Sequence, residues 1–255
     1  MLEQLDLECR TKPEAAIALI QEYEPPEGYW VAFSYGKDSS VVYDLTIKAG
    51  AKHQAYYNRT GIDPPELVQF GREYYPEVIP IKPVMTIWEG ILYHGLPTRK
   101  VRWCCQVLKE HAGNGRLIIS GIRAQESAGR RSRSEYYEYD GKKAKQKYIK
   151  DKTFLLPILR WSKDEVWQYI RENNIPYCSL YDLEAERKGY GEGLFKRLGC
   201  VLCPCNSKRE LEMERYPKIA AAWERAARRY FESGKMGMDF STFEEYWNWW
   251  LNPPK

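Results

Sequence analysis

Two groups of cysteines and one lysine-bearing turn are the parts of this sequence whose residue types and spacing could do chemistry. Cys104 and Cys105 are adjacent in Arg102-Trp103-Cys104-Cys105, and Cys200 and Cys203 form a Cys-x-x-Cys in Gly199-Cys200-Val201-Leu202-Cys203-Pro204. Four thiolates in a reducing compartment can hold zinc or an iron–sulfur cubane. Adjacent cysteines have difficulty turning both sulfurs onto one small ion, whereas a [4Fe-4S] cubane offers separate iron corners. The spacing therefore favours a cluster over zinc and over unligated thiols. Cys205 is a further thiol beside this group. It reads either as a reactive sulfur carrier, if nearby cations depress its pKa, or as a partly buried spare cysteine. Cys9 and Cys178 stand alone and read as packing residues, and the scattered His53, His94 and His111 suggest no metal role, with His111 expected at the surface.

The turn is Ser34-Tyr35-Gly36-Lys37-Asp38-Ser39-Ser40. Between a buried strand and a helix, such a turn points successive backbone N–H groups and the positive helix end at whatever sits above the sheet. Gly36 allows close backbone approach, Lys37 adds a point charge, and Ser34, Ser39 and Ser40 add hydroxyl donors. That set suits a pyrophosphate. Asp38 makes sense if a bound magnesium ion or a ribose needs an acceptor. The Walker pattern does not fit, because no glycine stands five residues before Gly36. The bland alternative is a helix cap in a tight turn.

These residues need elements to position them. Thr11-Lys12-Pro13-Glu14 is a capping-box pattern opening a helix, and Glu24-Pro25-Pro26-Glu27-Gly28 ends it. The apolar run 29–33 predicts a buried strand, and 38–48 predicts a helix stopped at Gly50. Strands are expected at 54–57, 78–81 and 117–119. Asp63-Pro64-Pro65-Glu66 predicts a capped helix to about Tyr75, and Ser162-Lys163-Asp164-Glu165 predicts another. Strands alternating with helices imply βαβ units, so the expected fold is α/β, a doubly wound and mostly parallel sheet with ligands at the carboxyl ends of its strands. The expected organisation is an N-terminal helix and linker at 1–28, a nucleotide-binding α/β domain at 29–180, and a cluster-binding loop with a helical, Trp-rich extension at 181–255. The basic stretch 129–152, with Tyr136, Tyr137, Tyr139 and Tyr148 interleaved, reads as a loop or mobile hairpin. Trp223, Trp247, Trp249 and Trp250 are expected to pack against the sheet or against a partner chain, which would make a homodimer.

Composition narrows the function classes. The 255 residues carry 39 Lys plus Arg against 35 Asp plus Glu, a balance of +4 that permits nucleic-acid contact without arguing for it. An apolar share of 44% excludes a wholly disordered chain. No apolar run approaches the roughly 18 residues of a membrane span. The acidic start Met1-Leu2-Glu3-Gln4-Leu5-Asp6 lacks the features of a signal peptide, so a cytoplasmic protein with reduced thiols is expected.

The sequence resembles the PP-loop ATP pyrophosphatase superfamily, whose signature Ser-x-Gly-x-Asp-Ser stands as Ser34 to Ser39. Within it, the chain is similar to the phosphoadenosine-phosphosulfate reductase family, including the DndC-type DNA phosphorothioation proteins. Asn58-Arg59-Thr60-Gly61 resembles that family's segment near the nucleoside. Gly121-Ile122-Arg123-Ala124-Gln125-Glu126-Ser127-Ala128-Gly129-Arg130 resembles its Gly-x-Arg-x-x-Glu/Gln-Ser-x-x-Arg motif, and 157–167 resembles its Pro-to-Trp segment. The likeness covers roughly residues 29 to 206. It implies nucleotide contacts from Thr60, Gly61, Gly121, Arg123, Glu126 and Arg130. The two arginines also make physical sense there, because guanidinium forks bind phosphate oxygens bidentately. Cluster-bearing members carry a Cys-Cys pair and a later Cys-x-x-Cys, which is what Cys104, Cys105, Cys200 and Cys203 provide.

Three functions compete. An ATP-binding enzyme with magnesium would adenylate an acceptor, release pyrophosphate and let sulfur displace AMP, using a [4Fe-4S] cluster and a sulfur or electron donor protein. A sulfonucleotide reductase would take adenylyl sulfate (APS) or its 3′-phosphate (PAPS) in the same cleft, with a cysteine attacking sulfur. Two departures weigh against the reductase: the family's Glu-Cys-Gly-Leu-His ending is replaced by Trp249-Trp250-Leu251-Asn252-Pro253-Pro254-Lys255, and Lys37-Asp38-Ser39 is intact. A non-catalytic module would use a structural metal and grip nucleic acid with the basic, tyrosine-bearing stretch. Nucleic acid is also a candidate sulfur acceptor for the enzyme.

Overall fold

A computed structural model describes residues 10–141, 148–182, 197–206, 209–235, 237 and 240–253. Cys9, the acidic start, part of the basic stretch (142–147) and the last two residues lie outside the described residues. The sheet has six strands in the order β3-β2-β1-β4-β6-β5. These are β1 (Tyr29–Ala32), β2 (His53–Asn58), β3 (Ile79–Ile81), β4 (Leu117–Ser120), β5 (Tyr136–Tyr139) and β6 (Lys152–Leu155). All pairings are parallel except that of β5 with β6, which is antiparallel at the sheet edge. The chain runs outward from β1 through β2 to β3, then crosses back to β4 on the other side of β1. The crevice between the carboxyl ends of β1 and β4 is thus the topological switch point, where such sheets bind ligands.

Helix α1 (Lys12–Glu22) opens with the expected capping box at Thr11. Helix α2 (Lys37–Lys48) follows β1 directly, and Gly50, at φ +68, ends its register. Helix α3 (Pro65–Tyr74) differs from the expectation at its start: its cap is Pro64 and makes no side-chain bond. The Asp63 carboxylate instead accepts from the Thr60 N–H at 3.2 Å and the Tyr57 hydroxyl at 2.5 Å, so tertiary partners outbid the local cap. Helix α4 (Ile87–His94) has a capping box of Thr86 and Glu89. The helix Lys163–Glu172 has the expected one at Ser162.

Of the two readings of the basic stretch, the hairpin is the one that forms: a short helix, Ala128–Arg131, leads into β5, which pairs antiparallel with β6. Its tyrosines pack within the chain, Tyr136 stacking on Tyr23 at 4.6 Å and Tyr137 on Phe154 at 5.1 Å. The C-terminal helices Arg209–Arg215, Pro217–Glu232 and Phe243–Leu251 add their apolar faces to the same hydrophobic core as the sheet, beside Ile87 and Ile91 of α4. Trp250 stacks on Trp223 at 5.0 Å and donates its indole N–H to the Pro97 carbonyl at 2.7 Å. Trp223, Trp247 and Trp250 are therefore packing residues within this chain. His111 departs from the surface position expected: it is half-buried, with its Nδ1 enclosed and unpartnered, and burial pulls its pKa down. No helix among the described residues is long and apolar enough to cross a membrane.

Buried tyrosines set an alkaline limit on stability. The hydroxyls of Tyr43, Tyr57 and Tyr169 donate to Glu77, Asp63 and Asp44, and burial followed by those carboxylates raises each pKa above its ordinary value. Burial likewise pushes Tyr246 up to about 12. Because the folded pKa values lie above the unfolded value of about 10, this stabilisation is complete below that pH and is lost as pH rises from there through the folded values. The tyrosinate absorbance of these buried rings should therefore appear only together with loss of helical circular dichroism, above pH of about 10.

Candidate functional site

The turn after β1 is built under strain. Tyr35 sits at φ +60, in the left-handed region, and its ring is buried against Phe33 and Tyr57. A Cβ on Gly71 of α3 would lie 2.4 Å from that ring, so the aromatic packing needs glycine there. Tyr35 thus offers only its main chain to a ligand. Gly36 caps α2 with no side-chain hydrogen bond of its own, and the positive helix end faces the crevice with its first amide, that of Lys37, taken by the Tyr181 hydroxyl. The Ser39 hydroxyl donates to the Gly36 carbonyl at 2.8 Å and lies 3.2 Å from the Ser34 hydroxyl. Ser40 is buried and serves the turn, donating to the same carbonyl at 3.3 Å.

Lys37 is 1% exposed, and its ammonium bonds Asp38 Oδ2 at 2.6 Å. The other oxygen, Oδ1, accepts from Arg123 Nε at 2.6 Å. Burial pulls the Lys37 pKa down, and Asp38 opposes the shift. One carboxylate therefore holds two cations in place at the switch point. Gly121, where the chain leaves β4, lets this happen: a Cβ there would lie 2.6 Å from the Asp38 carbonyl oxygen and 3.0 Å from the Ser39 nitrogen. Since both neighbours are backbone, Gly121→Ala should lower stability by about 1–3 kcal/mol and spread the turn. Denaturant unfolding and nucleotide titration of this variant check both effects.

A second carboxylate repeats the pattern. The Glu126 side chain, 7% exposed, pairs with Arg130 and with Arg197, the latter at 2.9 Å. Burial, then Arg197, Arg133 and Arg102, pull Arg130 down to about 10. Cations crowded to that degree favour an anion between them. Beside α2, the Tyr181 hydroxyl accepts the Lys37 N–H at 3.2 Å and also takes a backbone hydrogen bond from Leu198. That contact draws the cysteine-bearing segment toward the turn.

The four cysteines come from two segments that lie within electrostatic reach of each other, Cys200 and Cys203 adding to the upward shift that Cys105 and burial give Cys104. Trp103–Cys105 is one helical turn, continued by a π-helical turn, Gln106–Glu110. Such irregular turns often occur at functional sites. Cys104 hydrogen-bonds Cys105, and Arg102 donates to the Cys105 sulfur at 3.0 Å, holding Cys105 down at about 5. Burial pushes Cys203 up to about 12 and raises Cys200, which Lys109 and Thr60 counter through hydrogen bonds. The charge of Cys200 is in turn the largest cause raising Lys109. Val201 N–H donates to the Ile62 carbonyl at 2.7 Å, so the cysteine turn is stitched to the segment after β2. Thr60, which is buried, and Gly61, at φ +76, lie in that segment. Among the described residues, no three His, Cys, Asp or Glu side chains form a group that could hold one metal ion. The donor set is four soft thiols with adjacent cations, which suits a multi-iron anionic cluster with separated corners. Cys205 is exposed and its charge acts on Arg102; Cys178 is fully buried.

Arg197, Tyr181 and Lys109 were not singled out in the sequence. Only Lys109 left a trace there, four positions after Cys105.

The phosphoadenosine phosphosulfate reductase domain matches residues 28–206. An uncharacterized protein of Methanocaldococcus jannaschii is 30% identical over 235 residues, covering 86% of this chain and 45% of that protein. The chain spans about half the length of the two archaeal relatives it matches. Adenosine 5′-phosphosulfate reductase of Oceanobacillus iheyensis is 31% identical over 189 residues, covering 69% of this chain and 70% of that enzyme. The crystal structure of PAPS reductase from Candida auris superposes with a TM-score of 0.50 at 17% identity, over 77% of this chain and 96% of that one, a likeness of fold. With its switch-point turn, its arginine motif and these relatives in agreement, the chain belongs to the phosphoadenosine phosphosulfate reductase family of the PP-loop superfamily.

Proposed function

We propose that the chain binds ATP, as its magnesium complex, at the turn 34–39 and adenylates an oxygen of a second substrate. The acceptor oxygen attacks the α-phosphorus, the α–β phosphoanhydride bond breaks, and pyrophosphate leaves with its electron pair. A sulfur nucleophile then displaces AMP and forms the new bond to sulfur. The observation that carries this reading is the buried Lys37, paired with Asp38 next to Arg123 at the first turn of α2. A β,γ-pyrophosphate needs such a cation, and an adenylyl sulfate has no such group to hold.

In this reading the Lys37 ammonium and the first-turn amides of α2 after Lys37 stabilise charge growing on the leaving pyrophosphate. Asp38 accepts magnesium, and Arg123, Arg130 and Arg197 bind phosphate oxygens. Thr60 and Gly61 flank the nucleoside. Cys104, Cys105, Cys200 and Cys203 would hold a [4Fe-4S] cluster, which when bound supplies a sulfur-binding or one-electron centre. Cys205, exposed beside them, is the candidate sulfur carrier. A sulfur or electron donor protein and a nucleic-acid acceptor are the partners that this chemistry calls for.

A second reading is supported by the relatives named adenosine 5′-phosphosulfate reductase, at 27–31% identity. Here a cysteine would attack the sulfur of the sulfonucleotide, AMP would leave, and thiol reductant would release sulfite. One assay separates the two. Pyrophosphate release from ATP that depends on Lys37 supports adenylation, and thiol-dependent sulfite release from adenylyl sulfate replaces it with reduction.

A further inference from the structure

The turn between Cys200 and Cys203 is strained and is held from outside. Leu202 sits at φ +59, a left-handed conformation that a leucine adopts only when its surroundings enforce it. Cys203 N–H donates to the Cys200 carbonyl at 3.2 Å, and Asn206 N–H to the Cys203 carbonyl at 2.8 Å. The Leu202 N–H is taken from outside the turn instead: it donates to Glu212 Oε2, ten residues on, at 2.7 Å. Glu212, 7% exposed, also binds the Asn206 side chain. It thus grips the turn at two points.

The helix Arg209–Arg215 that carries Glu212 is itself fixed from its other side. The Arg209 guanidinium lies 4.9 Å from the Trp250 ring and donates to the Leu251 carbonyl. Trp250 is locked into the core by Trp223 and Pro97. Contacts therefore run from the Trp-rich tail through Arg209 and Glu212 to the peptide between the two cysteines. Burying a carboxylate costs free energy unless its oxygens are used, and here they are spent on this turn.

We propose that Glu212 is a positioning residue for the cysteine site. It holds the Leu202 amide, and with it the left-handed turn that keeps Cys200 and Cys203 beside Cys104 and Cys105. The C-terminal helices are the fixture on which that grip stands. The role rests on the reading of the four cysteines as cluster ligands.

The test compares full-length wild type, Glu212→Gln and Glu212→Leu after anaerobic reconstitution with iron and sulfide. Bound iron, the electron paramagnetic resonance spectrum of the reduced protein and iron loss to a chelator are measured on each. The glutamine oxygen can accept the same N–H, so Glu212→Gln should match wild type. Glu212→Leu should lose iron faster by about tenfold or more, while magnesium-ATP titration stays as in wild type. Hydrogen exchange on the wild-type protein adds a measurement independent of any variant's folding, with the Leu202 amide expected to be protected. Iron retention and spectrum unchanged in Glu212→Leu would overturn the proposal, as would a Leu202 amide exchanging like an open loop. If wild type itself takes up no iron, the cluster reading fails instead. Alkylation of Cys200 and Cys203 in the metal-free proteins then decides the positioning role: faster modification in Glu212→Leu than in Glu212→Gln supports it, and equal rates refute it.

Discussion

Lys37→Ala should cut pyrophosphate release from ATP by about 10²–10³-fold, the scale seen when one preorganised donor to developing charge is removed. The side chain is buried and pre-paired, so its charge is already placed when substrate arrives and is little screened by water. Removing it leaves Asp38 bonded to Arg123 alone, beside a phosphate that needs neutralising. The loss should fall mainly on kcat if Lys37 meets charge that grows as pyrophosphate departs, and on KM if it only holds ground-state ATP. Lys37→Arg should not restore the rate, because a larger planar guanidinium does not fit a site enclosed by Tyr181 and Asp38. Thermal unfolding of each variant separates a lost charge from a lost fold.

Cys104→Ser and Cys203→Ser should lose the cluster. Anaerobically reconstituted wild type is expected to carry about four irons per chain, and either variant fewer than about one. A hydroxyl is a poor replacement for a soft thiolate at iron. ATP binding should survive in both, since neither residue touches the turn 34–39. Cys205→Ser gives the contrast: its exposed thiol is outside the set of four, so iron should stay while sulfur transfer stops. Iron analysis and magnesium-ATP calorimetry on the same preparations check all three. Full iron in Cys104→Ser would remove that residue from the ligand set.

The sequence made the central architecture legible because its strongest local signals agree with the tertiary structure. The run 29–33, the turn after it and the helical pattern to Lys48 are an uninterrupted β-turn-α unit, and the cap signals at Thr11 and Ser162 form as read. Strand β6 was not legible. Three apolar residues behind a basic tract are too short to show a period, and the strand is defined by pairing to β4 and β5. Helix α4 escaped although Thr86 and Glu89 spell a capping box. Asp63 misled because its carboxylate serves Tyr57 and Thr60 rather than the helix it precedes. In the site, charges adjacent to motifs were readable and charges brought from afar were not. Asp38 with Lys37 is local, whereas Arg197 reaches Glu126 across 71 residues and Glu212 reaches back from the following helix to the amide of a turn residue, Leu202. Residues whose partners lie far along the chain carry no periodicity, so only the folded sheet reveals them.

The most direct test of the account is anaerobic calorimetry of the wild-type protein with magnesium-ATP and, separately, with adenylyl sulfate, repeated on Lys37→Ala. Saturable ATP binding that requires magnesium is expected in wild type and, weakened at most, in the variant, with pyrophosphate release once an acceptor is supplied seen in wild type and lost in Lys37→Ala. No heat with ATP, together with tight adenylyl sulfate binding that survives Lys37→Ala, would contradict the account.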